Sequence, residues 1–141
     1  MLEEQSKIRV RRLVIDEGKK MEVIQRDDCT AFVTKDGSVI RGLLAHRNSS
    51  IRNQSLAEAI VGPGIRTAAH FHPKTEEIYY VLSGSGMMHL GNETREVGPG
   101  DAIAIPPGTV HWIQNPGALP LVFLCACSPA YEHEDTVMVE G

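Results

Sequence analysis

Short runs rich in β-branched and aromatic residues recur along the chain: CTAFVT, SLAEAIV, EIYYVL, MMHL, AIAIP, VHWIQ and PLVFLCAC. Runs this short with this enrichment favour strand over helix. Gly- and Pro-rich turn signals separate the runs, at Asp36-Gly37, Gly62-Pro63-Gly64, Ser83-Gly84-Ser85-Gly86, Gly91-Asn92, Gly98-Pro99-Gly100, Pro106-Pro107-Gly108 and Asn115-Pro116-Gly117. Short strands at near-even spacing, punctuated this way, predict an all-β sandwich or barrel. RNQSLAEAIV fits a turn or two of helix locally. It is read as a strand because Gly-Pro-Gly follows it and the chain then enters a run carrying two histidines.

At 141 residues the chain fits one domain with its own core. Its expected organisation is an N-terminal arm over residues 1–28, a barrel over 29–128 and an acidic tail over 129–141. The arm contains an alternating stretch, KIRVRRLVI, with no evident partner in the barrel. Leftover strands of this kind close sheet edges by pairing, so a homodimer is expected. For the tail, an edge strand, an arm across a partner and a frayed end all remain open.

Composition narrows the function classes. Net charge is −4 and the one basic cluster, Lys7 to Arg12, is short and lacks aromatic residues, which argues against nucleic acid. No apolar run reaches the length that crosses a bilayer, and the charged N-terminus does not read as an export signal, so a cytoplasmic protein is expected. Cys29, Cys125 and Cys127 are odd in number, as in a reducing compartment. Cys125 and Cys127 read as small buried hydrophobes of one strand face.

The chemistry is concentrated in GIRTAAHFHPKTEEIYYVLSG, residues 64–84. Residues two apart on a strand share a face, so His70 and His72 project together. The next strand opens near Glu77, with Glu77, Tyr79 and Val81 on one face and Glu76, Ile78 and Tyr80 on the other. Two imidazoles and a carboxylate turned inward are costly to bury unpaired, and a divalent cation satisfies all three. A second segment, GDAIAIPPGTVHWIQN, adds a lone His111 at the start of another strand.

Together the two segments resemble the paired signatures of the cupin superfamily. The first is similar to Gly-x5-His-x-His-x4-Glu-x6-Gly, filled by Gly64, His70, His72, Glu77 and Gly84. The second is similar to Gly-x5-Pro-x-Gly-x2-His-x3-Asn, filled by Gly100, Pro106, Gly108, His111 and Asn115. The resemblance implies an all-β cupin jelly-roll, a double-stranded β-helix barrel, with His70, His72, Glu77 and His111 as metal ligands. It leaves Gly84, Gly100 and Gly108 as turn formers and Asn115 as a turn brace. Such a ligand set favours Mn2+, with Fe2+, Zn2+ and Ni2+ as alternatives.

Two functions follow from that resemblance. One is a binding module whose metal takes a small, including aromatic, carboxylate, with Tyr79, Val81 and Ile113 as the apolar wall. The other is an enzyme: a dioxygenase, decarboxylase or isomerase/cyclase of a small organic molecule. A barrel merely stiffened by metal is a third class. An enzyme moving protons needs an acid or base beyond the ligands. Glu76, His89, Tyr79, Glu58 and His46 are the candidates, and no spacing compels one. His89 and Glu58 are expected to face outward, which tilts the reading toward binding.

Overall fold

The computed structural model describes residues 20–139. The alternating part of the expected arm, KIRVRRLVI, lies outside them. Eleven strands follow in order: β1 (Phe32–Val33), β2 (Val39–Leu44), β3 (Ser55–Val61), β4 (His70–Phe71), β5 (Glu76–Ser83), β6 (Gly86–Leu90), β7 (Glu93–Val97), β8 (Ala102–Ile105), β9 (His111–Gln114), β10 (Leu121–Ser128) and β11 (Val137–Met138). They form two antiparallel sheets, in the orders β1-β2-β3-β10-β5-β8 and β11-β4-β9-β6-β7. This is the double-sheet jelly roll, the double-stranded β-helix. SLAEAIV is a strand, as its Gly-Pro-Gly flank predicted. The tail segment Val137–Met138 is an edge strand, paired with β4.

Alternation sets the inward face. On β5, Glu77, Tyr79 and Val81 are buried while Glu76, Ile78, Tyr80 and Leu82 are exposed. On β10, Leu121, Phe123, Cys125 and Cys127 are buried. The two strands are antiparallel neighbours with Val81 opposite Phe123, Tyr79 opposite Cys125 and Glu77 opposite Cys127. The interior therefore changes character along the strands. Its apolar end holds Val61, Val81, Ile113, Leu121 and Phe123, all at most 1% exposed. Each such side chain stabilises the fold by about 1.5–3 kcal/mol relative to exposure. At the other end the buried groups are polar: His70, His72, Thr75, Glu77, His111 and Thr136. The apolar end makes the barrel stable, and the polar end is where chemistry can occur.

Gly84 ends β5 with φ +78°, and a Cβ there would collide with the Pro120 carbonyl oxygen. Only glycine meets both demands. Asn115, wholly buried, donates Nδ2–H to the carbonyls of Val61 (2.9 Å) and Leu119 (2.8 Å) and accepts the Gly117 N–H at 3.0 Å. It thus braces the turn into β10. Glu58 points outward, as alternation requires, yet it is only 9% exposed. Arg26 covers it, with Nη2 at 2.8 Å from Oε1, and Arg41 lies at 3.6 Å. The expectation of a solvated Glu58 missed this cover because it comes from a residue 32 positions away.

Candidate metal centre

His70 on β4 sits directly across the ladder from His111 on β9, and their rings stand 4.3 Å apart. His72, just beyond β4, places its ring 5.1 Å from His70 and 5.6 Å from His111. Backbone carbonyls hold all three rings at Nδ1: Ala68 for His70 (2.8 Å), Asp135 for His72 (3.2 Å) and Thr109 for His111 (2.9 Å). A carbonyl oxygen only accepts, so each Nδ1 carries the proton and each Nε2 keeps a free lone pair. This is the tautomer that binds metal, with the ring orientation set by the second nitrogen's hydrogen bond.

Glu77 completes the cluster from β5. Its Oε1 lies 3.5 Å from Nε2 of both His72 and His111. Its Oε2 accepts the thiol of Cys127 at 3.2 Å. Glu77 Oε1 and His111 Nε2 are buried without any hydrogen-bond partner. Orphaned buried atoms of this kind are rare in folded proteins and call for an unshown partner. The donor atoms of His70, His72 and His111 lie within 4.8 Å of one another. Ligands about 2.0–2.2 Å from one ion stand up to about 4.4 Å apart, so with a small inward adjustment the three histidines could hold a divalent cation.

The electrostatics agree with a site held ready for positive charge. Burial alone raises the Glu77 carboxyl, but the imidazoles of His111 and His72 outweigh it and pull it down to about 2. Burial, and then the neighbouring His111, lower His70, which favours the neutral ligand form. Burial also works to lower His72, but hydrogen bonding and charge from Glu77 raise it overall. The Cys127 thiol is pushed far up, chiefly by burial and then by the charge of Glu77, so it remains a donor to Oε2. Oε1 is thereby the oxygen left for a metal.

A cavity of about 110 Å³ opens beside His70, His72 and Glu77. Phe32, Ile40, Leu44 and Leu56 give it apolar walls, and Tyr79 also lines it. Val81 and Ile113, expected in that wall, are packed in the apolar end of the core and do not line the cavity. Val81 shares a face with Glu77 but lies four residues beyond it, too far down the strand. Glu76 is exposed, on the opposite face from Glu77. His89 stacks on Trp112 at 4.3 Å, and His46 pairs with Glu132 at 2.8 Å. Neither belongs to the cluster.

Two residues at the centre were not read as functional from the sequence. Cys127 meets Glu77 through strand register, a signal visible only once β5 and β10 are paired. Asp36, read as part of a turn signal, places Oδ2 3.8 Å from His70 Nε2 and lines the cavity.

Two sheets closed over a buried three-histidine, one-glutamate cluster define a jelly-roll protein whose interior can hold a divalent metal. The chain belongs to the cupin family: the family model described as Cupin domain matches residues 57–127. It is 51% identical to the protein MJ1618 of Methanocaldococcus jannaschii over 114 residues, 81% of this chain and 91% of that one. It is 35% identical to the mannose-1-phosphate guanylyltransferase RfbM of Salmonella typhimurium over 78 residues, 55% of this chain but only 16% of that enzyme. Among solved structures, the polyketide cyclase RemF of Streptomyces resistomycificus is similar at a TM-score of 0.74 and 29% identity, over 86% of this chain and 87% of that one.

Proposed function

We propose that the chain is a metal-dependent enzyme acting on a small organic molecule held in the barrel cavity. His70, His72, Glu77 and His111 would hold the cation. The observation that carries this reading is the pair of orphaned atoms, Glu77 Oε1 and His111 Nε2, in a cluster that borders an apolar-walled cavity. A barrel stiffened by metal needs no such cavity. Three nitrogens and one oxygen suit Mn2+ or Fe2+ with coordination positions left for a ligand, and Mn2+ is the metal proposed. When bound, such a cation supplies Lewis-acid polarisation of a substrate oxygen. The apolar walls would orient the organic body and exclude water, while the backbone-held imidazoles keep the donor set rigid. Likeness to a protein named as a polyketide cyclase supports isomerisation or cyclisation over oxidation.

A binding module for a small carboxylate is the second reading, favoured by Arg47, a cationic residue that also lines the cavity. In either case the proposed setting is a reducing cytoplasm, with Cys29, Cys125 and Cys127 as free thiols. Among the described residues no helix is long and apolar enough to cross a membrane. The assembly proposed is a homodimer.

The test begins with metal content. Purified wild type should hold Mn2+ by elemental analysis; His70→Ala and His111→Ala should lose it, and His46→Ala and His89→Ala should keep it. Equal content in all five proteins would refute the ligand assignment. Mass spectrometry of small-molecule mixtures incubated with the loaded protein then separates the two readings. Chemical conversion that stops with chelator marks the enzyme, and retention without conversion marks the binding module.

A further inference from the structure

We propose that Asp36 is a second carboxylate of the metal centre, and that it makes the cavity select a neutral, hydroxyl-bearing molecule over a carboxylate. The inference rests on the metal reading above and names the class of ligand for that same site.

Asp36 sits in the hairpin between β1 and β2, outside the region matched by the family model. Its Oδ1 accepts three hydrogen bonds, from Thr34 Oγ1 (2.7 Å), Ser38 N (2.9 Å) and Ser38 Oγ (2.6 Å). Those bonds build the turn, with Gly37 in the left-handed region at φ +92°. The turn uses Oδ1 alone. Oδ2 is left over, and it is the atom aimed at His70. The aim is held at both ends by one residue: Ala68 N donates to the Asp36 carbonyl at 2.7 Å, and the Ala68 carbonyl accepts from His70 Nδ1 at 2.8 Å. Carboxylate and imidazole are thus fixed relative to each other through Ala68.

The two carboxylates take different edges of the triad. Glu77 faces His72 and His111 at 3.5 Å, and Asp36 faces His70 at 3.8 Å. The 3.8 Å approach puts Asp36 beside His70, at the edge of the three-histidine donor group and outside it.

Charge then decides the ligand class. A divalent cation balanced by Glu77 alone would carry a net positive charge and attract a carboxylate. With Asp36 beside it the site is neutral, and an arriving carboxylate meets a second fixed negative group in a partly desolvated cavity. Arg47 offsets this only in part, because its Nη2 is already paired with Glu132 Oε2 at 2.8 Å. A hydroxyl, in contrast, can donate its hydrogen to Asp36 Oδ2 and offer its oxygen to the cation. Ser55 and Tyr131 line the same cavity and add hydroxyl partners for a polar substituent. Phe32, Ile40, Leu44 and Leu56 suit an apolar body.

A matched probe pair, benzyl alcohol and benzoate, tests the inference on the Mn2+-loaded full chain. Binding is read by displacement of metal-bound water in proton relaxation, independent of any turnover. Wild type should bind benzyl alcohol at least about tenfold more tightly than benzoate, and Asp36→Asn should reverse the order, the scale expected for removing one close charge. Ser38→Ala, which leaves the charge in place, should keep the wild-type order. Asp36→Ser, read the same way, substitutes for Asp36→Asn if circular dichroism shows the latter unfolded. Benzoate binding equally well to wild type and to the Asp36 variant would overturn the proposal, as would failure of both probes to bind the loaded protein. Mn2+ content that does not depend on His111 would instead sink the metal reading itself.

Discussion

Glu77 has two oxygens with separate tasks: Oε2 is tied to Cys127 and Oε1 is left free beside two imidazoles. A carboxylate held on one oxygen presents the other without losing rotamer freedom at the moment of metal capture. Cys127→Ala should therefore weaken Mn2+ binding by about 10–100-fold, the usual effect of losing a group that orients a metal ligand. Cys127→Ser keeps a donor and should recover most of the affinity; direct Mn2+ titration of both variants checks this. Equal weakening by both would mean that the thiol fills space only. The convergence of His70, His72, Glu77 and His111 was legible in the sequence through strand alternation and motif spacing. Cys127 and Asp36 were not, since one acts through cross-strand register and the other through which carboxylate oxygen a turn consumes.

Among the elements, the runs rich in β-branched and aromatic residues all contain strands. Four other strands of the described residues lie outside those runs: β4 and β11, of two residues each, and the longer β2 and β7. β7, ETREV, exposes all but Val97 and is held by its ladder to β6, so hydrophobic periodicity has nothing to register. β2, VIRGLL, is interrupted at Gly42, where its pairing with β3 shifts register before Leu44. The turns are as specific as the strands. At Gly84 a side chain must adopt a left-handed backbone and also collide with the Pro120 carbonyl. Gly84→Ala should cost more than the about 1–2 kcal/mol of the conformation alone. Urea denaturation measures it, and a loss under about 0.5 kcal/mol, the range of neutral surface changes, would contradict the turn argument.

For the molecule as a whole, the outer face of the larger sheet carries Ile78, Tyr80 and Leu82, 50%, 43% and 44% exposed. Ala104 and Ala126 flank Ile78, while Ala102 and Leu124 flank Tyr80, so the face is apolar across three strands. A second copy of the chain covering this face is the proposed dimer. Sedimentation should give twice the monomer mass for wild type and the monomer mass for Tyr80→Glu; a wild-type monomer at all concentrations would exclude it. The C-terminal segment shows the same dependence on long-range closure. Asp135 reaches His72 through its carbonyl and the Lys74 and Thr75 N–H groups through its carboxylate, about sixty residues away in the chain.

By itself the sequence determined the architecture and the gathering of three histidines and a glutamate, because strand period, turn glycines and motif spacing are local properties that need no knowledge of the partner strand. Tertiary structure alone decided the rest: that Asp36 stands beside His70, that Cys127 restrains Glu77, and that Val81 and Ile113 belong to the core and not to the cavity wall. Those relations follow from closing two sheets on each other. Closure brings together residues whose separation along the chain carries no trace of their distance in space.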